Sequence, residues 1–164
     1  AEGDAVYDAY FKAFPGLRKY FDEVMEETLK KGYITINTTS NRSYSLPTFK
    51  RMKAYEKRPE KKSQYLALKS AIGRLALNYP VQGTAGDITK TAVAKFRKWL
   101  IAEELFDTVF MTNVVHDEIN VESPVEVAEI VAAGLEKCMA DAGAIWCKRV
   151  KLKAVAAIGD YWAH

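Results

Sequence analysis

The 164-residue sequence predicts an α+β fold. Apolar residues recur at helical spacing in several long runs, and two pairs of short β-branched or aromatic segments flank turn-forming residues. The apolar fraction of 49% is enough for a folded unit with a core of its own.

Asp4 to Phe14 has helical character, which Pro15-Gly16 interrupts. Leu17, Tyr20, Phe21, Val24, Thr28 and Leu29 then repeat at helical spacing until Gly32. Tyr33-Ile34-Thr35-Ile36 and Tyr44-Ser45-Leu46 flank the polar stretch Asn37 to Ser43 and predict a hairpin. From Lys50 to Lys62 the cations Lys50, Arg51, Lys53, Lys57, Arg58, Lys61 and Lys62 outnumber Glu56 and Glu60. This reads as an exposed basic connector over 48–62, with Pro59 interrupting any helix; a solvated loop and a surface that holds phosphates fit it equally.

A long helical pattern runs from Ser63 to about Ala102, with Leu66, Ile72, Leu75, Ile88, Ala92, Phe96 and Trp99 among its apolar positions. Pro80 and Gly83 are expected to bend or break it. Val109 to Val115 and Ile119-Asn120-Val121 predict a second hairpin with His116-Asp117 at its tip. Ser123-Pro124-Val125-Glu126 has the signature of a helix start, and Val127, Ile130, Val131, Leu135, Cys138 and Met139 form the stripe expected to be buried. Val150 to Ile158 reads as a last strand.

Composition narrows the function classes. Cys138 and Cys147 form no disulfide framework, and with His116 and His164 they do not make a zinc pattern, so reduced thiols in an intracellular, cytoplasmic setting are expected. No apolar run approaches the roughly 20 residues needed to cross a bilayer, so no membrane partner is expected. The net charge of +3 does not by itself announce a nucleic-acid binder. The chain starts at Ala1 rather than methionine, which suggests a cut, processed or edited product.

Two groups of residues could carry chemistry. Asp117 and Glu118 adjoin between two strands, where side chains project from a rigid scaffold, and hard cations such as Mg²⁺ favour such carboxylate oxygens. A turn that merely tolerates acids is the plainer alternative. Neighbours on a strand point to opposite faces, which makes Asp117 the first choice as ligand. Arg74, Asn78 and Gln82 are spaced four apart on the long helix and form a polar row suited to a DNA minor groove, or to water.

Together these segments resemble family A DNA polymerases, the bacterial DNA polymerase I class with its phage and organellar relatives. Arg74-Leu75-Ala76-Leu77-Asn78-Tyr79-Pro80-Val81-Gln82-Gly83-Thr84-Ala85-Gly86-Asp87 is similar to the family's R-x-x-x-N-x-P-x-Q-G-T-A-A-D helix, and Val115-His116-Asp117-Glu118 to its motif C, V-H-D-E. Phe14-Pro15-Gly16, Gly32-Tyr33, Tyr44-Ser45-Leu46-Pro47 and the tail Asp160-Tyr161-Trp162-Ala163-His164 extend the likeness over almost the whole chain. The tail resembles the family's own C-terminus, which puts the expected cut on the N-terminal side.

The resemblance implies the end of the fingers in 1–31 and the C-terminal part of a palm in 32–164. By it, Asp117 and Glu118 would serve a two-metal Mg²⁺ site and His116 would contact the primer end. Arg74, Asn78 and Gln82 would contact the minor groove of template-primer DNA, and Arg42 would touch template backbone. The family's motif A aspartate and its fingers helix, which holds the incoming dNTP, are absent from residues 1–164. An N-terminal polymerase fragment carrying both is therefore the expected partner. Val114 where the family usually has glutamine, Arg42-Ser43 where it often has paired arginines, Gly86 where it has alanine, and the charged 48–62 connector hint at a phage or divergent member. The alternatives are a non-catalytic DNA-binding module derived from a palm and a small metal-dependent nuclease, the latter needing more carboxylates near the hairpin than the sequence places there.

Overall fold

The computed structural model describes residues 2–37 and 39–162. Thr38 of the first turn, and Ala163 and His164 of the family-like tail, lie outside the described residues. The fold is α+β: helices with two separate two-stranded antiparallel sheets. The chain divides into two compact units, Ala1–Gln82 and Gly83–His164.

In the first unit, α1 (Glu2–Ala13) is followed by α2 (Pro15–Lys31). Pro15 suits the first helical turn, where no N–H is needed. Gly32 ends α2 in the left-handed conformation, φ 78°, its N–H donating to the Thr28 carbonyl. A side chain there would also strike the Phe49 ring, 2.8 Å from an ideal Cβ.

β1 (Tyr33–Asn37) buries Ile34 and Ile36 by the two-residue alternation of a strand and pairs with β2 (Arg42–Ser45). The Asn37 side-chain oxygen accepts from the Ser40 N–H at 2.7 Å and the Ser40 hydroxyl at 2.8 Å, which shapes the turn.

The basic connector is more ordered than expected. Phe49–Tyr55 is a short helix, α3, and Pro59–Lys61 a 3-10 turn, because Met52 is 1% exposed within a core of Ile34, Ile36, Leu46, Ile72 and Ala76 and pins the segment. Lys50, Arg51, Lys57, Arg58 and Lys62 remain exposed.

α4 runs unbroken from Lys62 to Ala102, through Pro80 and Gly83, so of the expected bend or break the break does not occur. Proline inside a helix costs about 3 kcal/mol. Each fully buried aliphatic or aromatic side chain returns about 1.5–3 kcal/mol. Ile72 and Ala76 on one side of Pro80, and Ala92, Phe96 and Leu100 on the other, are 0–1% exposed, so burial outweighs the missing hydrogen bond. A methyl added at Gly86 would meet nothing within 4 Å, so glycine in place of alanine leaves the packing unchanged there.

The second unit packs β3 (Phe110–Val115), β4 (Glu118–Glu122) and α5 (Ala128–Trp146) with the C-terminal part of α4. Phe96, fully buried, stacks on Trp99 at a centroid distance of 5.6 Å. Trp99 in turn lies over Gly134, where an ideal Cβ would come within 2.5 Å of the indole. That close approach requires glycine.

The structure departs from three expectations in this unit. The helix expected from Ser123-Pro124 begins as a 3-10 turn, Val125–Val127, with no side-chain cap, and α5 starts only at Ala128. Its buried stripe is Val131, Leu135, Cys138 and Ala142, spaced four, three and four, whereas Ile130 is exposed. Residues 150–158 form no strand, because a strand needs a neighbour and neither two-stranded sheet pairs with them.

Candidate functional site

The β3–β4 hairpin positions the acidic pair. Val115 pairs with Glu118, which leaves His116-Asp117 as a two-residue loop. His116 takes a left-handed φ of 53°, a conformation that costs a non-glycine residue about 1–2 kcal/mol. Its support comes from α4. The Thr89 side chain is buried, and its hydroxyl lies 3.3 Å from the His116 carbonyl and 3.1 Å from that of Ala85. One hydroxyl proton thus serves two acceptors. Farther down β3 an extra residue, Thr112, interrupts the register between Met111 and Asn113.

His116 and Asp117 are exposed and Glu118 is half-buried. Glu118 Oε1 accepts from the Trp162 indole Nε1 at 2.8 Å. Among the described residues neither Asp117 nor Glu118 is ion-paired, so both carboxylates retain oxygens for a hard cation. Among the described residues no three His, Cys, Asp or Glu side chains come together as a complete metal centre. The donor chemistry suits Mg²⁺, but this pair would fill only part of its shell.

The polar row lies in the first unit. Arg74, Asn78 and Gln82 are all exposed on α4 and span about 12 Å of helix. Arg74 Nη1 donates to Ser70 Oγ at 2.9 Å, which extends the row one turn back. Tyr79 meets Tyr44 of β2 edge to face at 4.5 Å, and hydrogen bonding with Tyr44 raises its pKa, so the hairpin buttresses the helix beside the row. Arg42 is exposed at the start of β2, opposite Asn37.

Sequence reasoning missed Ser70, Thr89 and Trp162 as partners of these residues. Ser70 precedes Arg74 by four, a signal that was available; the contacts of Thr89 and Trp162 depend on tertiary structure, 27 and 44 positions away in the chain. Burial pushes the Cys138 thiol above its usual pKa, the opposite of what a nucleophilic cysteine needs. No described helix is long and apolar enough to cross a membrane.

Known proteins share this sequence pattern. DNA polymerase I of Aquifex aeolicus is 31% identical over 161 residues, covering 98% of this chain and 24% of the relative. DNA polymerase I of Streptococcus pneumoniae is 33% identical over 142 residues, 84% of this chain and 14% of the relative. The thermostable DNA polymerase I of Thermus aquaticus is 30% identical over 161 residues, 98% of this chain and 17% of the relative. The chain therefore spans a quarter or less of the length of these relatives. The pattern of the family described as DNA polymerase family A matches residues 1–164, and the chain belongs to that family.

Proposed function

We propose that this chain supplies the motif C part of a template-directed DNA polymerase, with residues 1–31 as the end of the fingers and 32–164 as the C-terminal palm segment. The observation that carries this reading is an exposed, unpaired Asp117 on a two-residue loop, beside Glu118. Magnesium ions, when bound, would activate the primer 3′ hydroxyl and steady the departing pyrophosphate. Asp117 would give carboxylate oxygens to that site, Glu118 would support it, and His116 would contact the primer end. The remaining carboxylate and the dNTP-binding side chains would come from an N-terminal polymerase segment bearing motif A and the fingers helix. Mixing the chain with that segment should give Mg²⁺-dependent primer extension; absence of extension by any such mixture would refute the reading.

In the same reading Arg74, Asn78 and Gln82 contact the minor groove, and Arg42 the template backbone. Minor-groove acceptors occupy similar places in every correct base pair, so these side chains check pair shape rather than sequence. Arg74→Ala or Gln82→Ala should lower extension about tenfold on all templates and weaken discrimination against a mismatched primer end. Steady-state extension on templates of varied sequence measures this, and a loss confined to one sequence would contradict it.

A second reading, a DNA-binding module without catalysis, is favoured by the charge distribution. Residues 48–62 carry seven basic and two acidic side chains, which leaves seventeen basic against nineteen acidic elsewhere. The positive excess is thus concentrated in the 48–62 segment, from α3 to the start of α4. Replacing Lys50, Arg51, Lys57 and Arg58 together with alanine should flatten the dependence of duplex affinity on log salt by up to about 3.6, roughly 0.9 for each phosphate no longer neutralised. An unchanged slope in fluorescence anisotropy would show that these cations are only solvated. Asp117→Ala separates the readings, since it would leave this binding intact while removing synthesis.

A further inference from the structure

We infer that the C-terminal tail forms part of the support of the acidic hairpin, with Trp162 as a positioning residue that orients the Glu118 carboxylate through its indole N–H. This rests on the reading above, in which Glu118 serves the metal site.

After Trp146 the tail has no regular structure up to Trp162, yet beyond residue 150 contacts of Leu152, Ala156 and Trp162 tie it down in turn. The Leu152 side chain fills the space left by Gly143, where an ideal Cβ would lie 2.7 Å from Leu152 Cδ1. The Ala156 N–H donates to Glu136 Oε1 at 2.7 Å, and Trp162 Nε1 donates to Glu118 Oε1 at 2.8 Å. Moving forward along the tail means moving backward along α5. Gly143 to Glu136 is about 10 Å of helix, and Leu152 to Ala156 spans at most about 14 Å when extended, so the tail is long enough to follow α5 between those two points. The six residues from Ala156 to Trp162 reach at most about 22 Å further, to the first residue of β4.

The chemistry of the last contact is specific. An indole N–H only donates and an ionised carboxylate only accepts, so the pair has one sense. It occupies Oε1 and leaves Oε2 without a partner among the described residues. Trp162 is 51% exposed and is therefore not held mainly by burial; its polar edge is spent on an acid 44 positions earlier. Thr89 holds the backbone of the loop from α4, while Trp162 acts on a side chain from the opposite end of the chain.

The test begins with the ¹⁵N-labelled full chain, in which Trp162→Phe identifies the Trp162 indole resonance. Its N–H should exchange with solvent about tenfold more slowly than in Glu118→Ala, the ratio a charge-assisted hydrogen bond supports. An indole resonance and exchange rate indifferent to Glu118→Ala would overturn the inference. The second measurement is a double-mutant cycle in primer extension with the N-terminal segment present. Trp162→Phe should lower kcat about tenfold with KM for dNTP unchanged, and should add nothing to Glu118→Ala. Additive losses would reduce Trp162 to general tail packing and overturn its positioning role. If Glu118→Ala itself leaves synthesis intact, the failure lies in the catalytic reading of Glu118, and the exchange measurement still reports whether the contact exists.

Discussion

Asp117→Ala should abolish primer extension by the chain mixed with the proposed N-terminal polymerase segment, a loss of at least about a thousandfold, or about 4 kcal/mol in the barrier. The size follows from the proposed role: a carboxylate that helps hold the catalytic cations acts on the reacting atoms, and the acid next to it in sequence, Glu118, already gives one oxygen to the Trp162 indole. Because Asp117 is exposed in a two-residue loop, the substitution leaves the core untouched, and the circular dichroism spectrum and melting temperature should hardly move. His116→Ala should cost far less activity, since the imidazole would contact the primer end without carrying metal charge. Single-turnover extension with and without Mg²⁺ measures both. Synthesis that survives Asp117→Ala at near-normal rates would remove this residue from the chemistry.

Phe96→Ala should destabilise the second unit by about 3–5 kcal/mol. Phe96 is fully buried, stacks on Trp99 and lies in one cluster with Val109, Ile119, Val131 and Leu135, so truncation opens a cavity where α4, the hairpin and α5 meet. Trp99 cannot readily swing in to fill it, because its indole is already wedged over Gly134. Hydrogen exchange at the β3 and β4 amides measures this unit separately from the other. Faster exchange there, with little change at β1 and β2, is the expected pattern; a global loss of less than about 1 kcal/mol would mean that the site collapses around the missing ring.

Much of this architecture was readable from local chemistry. Pro15 and Gly32 delimit α2, the alternation in Tyr33 to Ile36 marks β1, and the polar interruption at His116-Asp117 marks the second hairpin. The failures came where tertiary packing overrides local preference. Pro80 does not break α4, because apolar burial on both sides exceeds the cost of one missing donor. Val150 to Ile158 alternates like a strand but finds no strand to pair with, and Ile130 lies outside the stripe that α5 buries. At the site, the residue types and their positions were legible, as was the exposed face of Arg74, Asn78 and Gln82. The contacts of Thr89 and Trp162 were not, since neither has a periodicity or motif that points to a residue so distant in sequence.

The unmatched residue at Thr112 gives the hairpin a fixed phase. On the tip side of Thr112 the paired positions sum to one value, and on the far side to a value smaller by one, so neither strand can slide by a step without breaking both sets of pairs at once. Length changes in this ribbon are therefore unequal in their consequences. Deleting Thr112 would merge the two phases into one regular ladder with every pair kept, and so remove the bend and added twist of the bulge below the acidic corner, whereas the same deletion in the segment after Glu122 would leave the ribbon as it is.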